Sequence, residues 1–199
     1  QRFRQLTEPL SANARWIPGN HDAVPPMLEA AVQSRLLDPV VDIGNWRITL
    51  LHSNVDQKSH GYLEDNQLQL LARSLSEAPD RHHLIALHHH PVPVGCEWIE
   101  PIGLLNACAF WAVLDRFPQV RAVLWGHIHQ PFDQQRNNVR LLASPSTCIQ
   151  FTPASRDFDV SSEAPGYRWV RLQPDGTLDT GVSRVDNFVF EPDYSANNY

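Results

Sequence analysis

The chain has 199 residues, 42% of them hydrophobic, and a formal net charge of -6 with 16 Lys and Arg. That size suits one α/β domain over 1–199, and the acidic balance excludes a broad basic field for a nucleic-acid backbone, so an anionic substrate must be small and met locally. Three cysteines without Cys-x-x-Cys spacing exclude a disulfide framework and a structural zinc site; no long apolar run or signal-peptide pattern stands in the sequence, and a cytoplasmic protein without a membrane span is expected.

Residues Arg2 to Pro9 read as the tail of a helix already under way; the chain opens on Gln1 and its only methionine is Met27, so a fragment of a longer protein is expected. A brief strand, Arg15 to Ile17, leads to a loop with Asn20, His21 and Asp22. A helix from about Pro26 to Leu37 follows, proline suiting its first turn. Val40 to Ile43 and Trp46 to Leu51 form a hairpin about Gly44-Asn45. After the loop Ser53 to Gly61, Leu68, Leu71 and Leu75 recur at helical spacing, with Glu64, Asp65, Arg73 and Glu77 on other faces.

Strand Leu84 to Leu87 runs into His88-His89-His90-Pro91, and a loop rich in proline and glycine leads to a helix, Asn106 to Phe117, stopped by Pro118. Strand Val120 to Trp125 delivers Gly126-His127-Ile128-His129, a pattern this composition produces by chance roughly 0.02 times. Short strands follow: Val139 to Leu142, Cys148 to Phe151, then Tyr167 to Leu172 and Thr177 to Arg184 about a Pro174-Asp175-Gly176 turn. No histidine lies beyond position 129, so this part reads as scaffold, and 191–199 as a loose tail.

Three apolar runs thus each end in a polar cluster rich in Asn and His. In open α/β sheets ligands bind at the carboxyl ends of strands, and neutral imidazoles with an amide oxygen suit Zn, Fe, Mn or Co better than Mg or Ca. A bland alternative is a set of surface or helix-capping histidines, and a dinuclear site also needs a bridging carboxylate. Because successive strand side chains alternate in direction, His88 and His90 are expected to pack or to support the site. His82 and His83 are expected to cap the strand start in solvent, and His60 to be a turn residue or to approach substrate. Asn106 fits a helix N-cap as well as a substrate contact.

Gly19-Asn20-His21-Asp22, then a strand ending in His89-His90-Pro91, then Gly126-His127-Ile128-His129 resembles the calcineurin-like metallophosphoesterase superfamily. Within it, Leu87 to Pro93 with Gly95-Cys96 and Trp98, Gln130 after the second motif, and Ser144 to Phe151 are similar to bacterial class III cyclic-nucleotide phosphodiesterases. The resemblance covers Arg2 to Arg184. It implies a four-layer α/β sandwich of two mixed β-sheets flanked by helices. The first strand-helix-strand unit, with its Asp-x-His and Gly-Asp motifs, would be missing, leaving apolar edges and a poorly soluble or partly unfolded fragment.

The same resemblance implies hydrolysis of 3',5'-cyclic AMP to 5'-AMP by in-line attack of a hydroxide bridging two divalent transition-metal ions, Fe or Mn, with Zn or Co as alternatives. Asn20, His89 and His127 would hold the second ion and His129 the first. His21 would be the catalytic histidine beside the phosphate, with Asp22 orienting it. His52 stands where relatives usually carry an acidic residue and is expected to be structural. Glycerophosphodiesters or phosphomonoesters as substrates, or a catalytically inactive module lacking the two absent motifs, stay open.

Overall fold

The computed structural model describes residues 2–7, 9 and 13–188. The expected tail, 191–199, lies outside the described residues. Helices α1 (Arg2–Thr7) and α2 (Val24–Ala30) precede strands β1 (Val40–Ile43) and β2 (Trp46–Leu50). Next come α3 (Asp65–Glu77), β3 (His82–Leu87), a single 3-10 turn Glu100–Ile102, α4 (Ala107–Leu114) and β4 (Val120–Trp125). The chain continues through β5 (Phe132–Arg136), β6 (Val139–Ala143), β7 (Gln150–Phe151), β8 (Val160–Ser161), β9 (Gly166–Leu172) and β10 (Leu178–Arg184).

Six strands form one mixed sheet in the order β1-β2-β3-β4-β6-β5. Its four inner strands, β2, β3, β4 and β6, are parallel, and β1 and β5 close the edges antiparallel. Parallel strands buried on both faces carry near-continuous apolar sequence, as in Leu84 to Leu87 and Ala122 to Trp125. One face, with Ile85, Leu87, Val123 and Trp125, packs on Leu71 and Leu75 of α3 and Phe110 and Leu114 of α4. The opposite face, Trp46, Leu84, Ala86 and Ala122, is covered by Val170, Leu172 and Leu178 of the β9–β10 hairpin.

That hairpin is the second sheet layer, and polar anchors fix it. The Trp46 indole donates to Gln173 O at 2.7 Å, and Arg168 donates to Ala143 O at 2.8 Å and Phe132 O at 3.1 Å. The described residues therefore supply helices, a mixed sheet and a facing hairpin, the mixed α/β class expected from the motifs.

Several local expectations need correction. Arg15 to Ile17 forms no strand; it crosses the hairpin-covered face, Trp16 N–H bonding Leu36 O at 2.7 Å and Ile17 packing on the Trp46 cluster. Helix α2 ends at Ala30, short of the expected Leu37, and the chain goes on in turns that reach the left-handed region at Gln33 (φ 57). His83 does not sit in solvent: β3 begins at His82, and His83 is buried with Nε2 2.9 Å from Ala78 O.

Asn106 stands at the N-cap position of α4 but makes no capping bond with its side chain. It grips a neighbouring loop instead: Oδ1 accepts Leu63 N–H at 2.9 Å and Nδ2 donates to Leu63 O at 2.8 Å. Leu63 is fully buried, so Asn106→Ala would strand a buried donor and acceptor, a loss of about 2 kcal/mol. The thermal midpoint should fall by about 4 to 8 °C. An unchanged midpoint would show that the clamp contributes nothing.

Candidate metal centre

Because β2, β3, β4 and β6 run parallel, the segments that follow them emerge at one sheet edge. There Ser53 follows β2, His88 to His90 follow β3, and His127 to His129 follow β4, while the loop with Gly19 and Asn20 lies across them. Asn54 Nδ2 donates to Gly19 O and ties that loop down. The Asp22 carboxylate accepts Gly19 N–H at 2.9 Å, shaping the turn that carries Asn20 and His21.

In the Gly-His-x-His turn the backbone enters the left-handed region twice, at His127 (φ 61) and His129 (φ 50), while Ile128 between them is fully buried. Histidine is among the residue types that tolerate this region, and such strain concentrates at functional sites.

His88, His89 and His127 each place a ring nitrogen so that the three lie within 4.8 Å of one another. Asn20 Oδ1 joins them, 2.9 Å from His88 Nε2 and 3.2 Å from His127 Nδ1. Of the expected site residues, Asn20, His89 and His127 are thus brought together. His129 is outside this trio; its ring stacks on Phe151 at 4.4 Å. His21 is exposed, yet its charge bears on both His88 and His129.

His88, expected from strand alternation to pack or to support the site, also places a ring nitrogen in the cluster. β3 ends at Leu87 and the chain bends through His88 and His89, so the period of a strand no longer applies there. His90 is buried and nearly parallel to His127, with ring centroids 5.7 Å apart and planes at 17°.

Burial, reinforced in several cases by neighbouring histidines, holds these imidazoles neutral. It lowers His88 and His129 to about 4 and His89 to about 3, and depresses His127 further. His90, also at about 4, is depressed by burial.

Neutral imidazole is the form that ligates a cation. The Nε2 atoms of His89 and His127 are buried without a hydrogen-bond partner. Leaving such groups unpaired costs about 1 to 3 kcal/mol each, and with one ring nitrogen from each of His88, His89 and His127 within 4.8 Å of the others and the Asn20 amide oxygen beside them, the arrangement fits a divalent metal. Glycine backbones press against each ring of the triple histidine: a Cβ on Gly19, Gly61 or Gly103 would lie 2.6, 2.4 and 2.5 Å from His88, His89 and His90.

Residues 1–131 match the family of calcineurin-like phosphoesterases. The whole chain is 54% identical to the 3',5'-cyclic adenosine monophosphate phosphodiesterase CpdA of Pseudomonas aeruginosa, spanning 73% of that protein. It is 44% identical to CpdA of Escherichia coli K12, again over 73% of the relative. A dimetal phosphatase from Danio rerio, 19% identical, superimposes with a TM-score of 0.53 over 78% of this chain and 67% of its own, a likeness of fold alone. The chain belongs to the calcineurin-like phosphoesterase family.

Proposed function

We infer that this protein is a metal-dependent phosphodiesterase that hydrolyses 3',5'-cyclic AMP to 5'-AMP. The observation that carries this is the 54% identity, over the whole of this chain and 73% of the relative, to a cyclic-AMP phosphodiesterase, and the histidine cluster at the sheet edge supplies matching chemistry. Asn20, His89 and His127 hold one divalent ion, with His88 beside them, and His129 contributes to a second. Imidazole nitrogens with one amide oxygen suit a transition metal, and the family resemblance points to Fe or Mn, with Zn or Co as alternatives. When bound, such ions polarise the phosphoryl oxygens and lower the pKa of a water.

The protein's own groups do the rest. The buried histidines keep their lone pairs available, and the glycine contacts hold the rings in place. In this proposal His21, which is exposed and electrostatically felt by His88 and His129, stabilises charge on the phosphate and passes a proton to the departing 3' oxygen. One domain over 1–199, a small anionic nucleotide as the partner and a cytoplasmic setting are parts of the same proposal. The three unbridged cysteines, Cys96, Cys108 and Cys148, are in keeping with that setting.

The test is cyclic-AMP hydrolysis with added Mn²⁺, with 5'-AMP identified as product. His21→Ala should lower kcat by about 10² to 10³ while Mn²⁺ content stays at the wild-type level. If the variant loses its metal, His21 is a ligand; if the wild type cleaves other phosphoesters and leaves cyclic AMP intact, the substrate is wrong.

A further inference from the structure

We propose that the cavity between α2, the end of β2 and α3 is a binding site for a neutral, mostly apolar fused bicycle that carries a hydrogen-bond acceptor. The cavity holds about 280 Å³; Val24 and Met27 of α2 and Leu70 of α3 form apolar walls, and Trp16 and His52 line it as well. It shares no lining residue with the histidine cluster.

Size sets the first limit on the ligand. An apolar cavity of about 150 Å³ stays dry and takes up benzene, so nearly twice that volume suits a second ring fused to the first. The wall most able to give way on entry is α2, a helix of seven residues with none of them buried.

Polarity sets the second. Trp16 Nε1 and His52 Nε2 are buried without a hydrogen-bond partner among the described residues, and a ligand atom within reach would remove that deficit. The indole N–H can only donate, so the ligand must offer an acceptor. Gln67, also in the lining, already has its Oε1 engaged by the His52 backbone N–H at 2.9 Å.

Charge sets the third. No Asp, Glu, Lys or Arg lines the cavity, and burial lowers the His52 pKa, so its ring is neutral. A charged ligand would give up its water there without a counter-charge. That rules out an anionic nucleotide and sets this cavity apart from the phosphodiesterase reaction.

The probe is coumarin, a neutral fused bicycle with a carbonyl oxygen, and the comparison is naphthalene, which has the shape and no such oxygen. Coumarin should shift the indole ¹H–¹⁵N signal of Trp16, assigned in the wild-type protein, with a Kd on the order of 10⁻⁴ M. In equilibrium dialysis Trp16→Phe should weaken coumarin about 5- to 10-fold and leave naphthalene unchanged. Val24→Phe, which fills the cavity from the first turn of α2, should abolish uptake of both. A Trp16 signal that stays in place at millimolar coumarin, or Val24→Phe binding coumarin as tightly as the wild type, overturns the site. Equal loss of both molecules in Trp16→Phe overturns the indole as its polar anchor. The Trp16 signal needs no variant to fold, and no readout depends on cyclic-AMP hydrolysis, so this proposal and the phosphodiesterase reading fail separately.

Discussion

His127→Asn is expected to lower cyclic-AMP turnover by about 10³-fold or more, since losing a metal site forfeits several kcal/mol of charge stabilisation. His127 is the hub of the cluster: its ring centroid lies 4.7 Å from His89, 5.2 Å from His88 and 5.7 Å from His90. Asparagine suits the test better than alanine because position 127 has φ 61, and Asn enters the left-handed region with little strain. The amide is also a weaker metal ligand than either imidazole nitrogen that it replaces.

The same substitution separates a functional histidine from a structural one. His127 is 1% exposed and its Nε2 has no hydrogen-bond partner, so in metal-free protein this atom opposes folding. Metal-free His127→Asn should melt within a few degrees of metal-free wild type, while its Mn²⁺ content, measured by elemental analysis, falls. A variant that keeps both its metal and its rate removes His127 from the site.

The core was legible in the sequence where periodicity decided the structure. Leu84 to Leu87 and Val120 to Trp125 announce buried parallel strands, and the Leu68, Leu71, Leu75 stripe announces α3. Strand β5, Phe132–Arg136, was not legible because it has a single apolar residue and no alternation. It is an edge strand with a mostly exposed surface, joined by Arg140 to Asp133 at 2.8 Å and Arg136 to Asp115. Strand β8, with two residues, is too short for any pattern.

At the site, the motifs named Asn20, His89 and His127, which the fold brings together. The place of His88 in the cluster depends on where β3 stops, and local spacing does not carry it. The contacts of Gly19, Gly61 and Gly103 with three successive histidine rings join segments tens of residues apart. Glycine in a loop reads first as a turn, and only the folded chain shows that these positions lack a side chain because an imidazole lies where a Cβ would be.

Gly61→Ala follows from that contact and should cost nearly as much as losing a ligand. The new methyl would stand 2.4 Å from Cγ and Nδ1 of His89 and 2.7 Å from its Cβ, so the base of the ring is struck and not a flexible tip. The backbone at Gly61 has no room to retreat: its N–H donates to Gly103 O at 2.9 Å and its carbonyl accepts Leu105 N–H at 2.9 Å. His89 must therefore move, and a displacement near 1 Å in a catalytic constellation costs about 10²-fold in rate. Gly44→Ala is the matching control. It lies at φ 53 with nothing within 4 Å of its added Cβ, so it bears only a backbone penalty of about 1 to 2 kcal/mol. Gly61→Ala should lose Mn²⁺ affinity and turnover together, whereas Gly44→Ala, with a comparable fall in melting temperature, should keep both. Wild-type Mn²⁺ binding in Gly61→Ala would mean that the site tolerates a displaced His89, and His89 would then have to be struck from the ligand set.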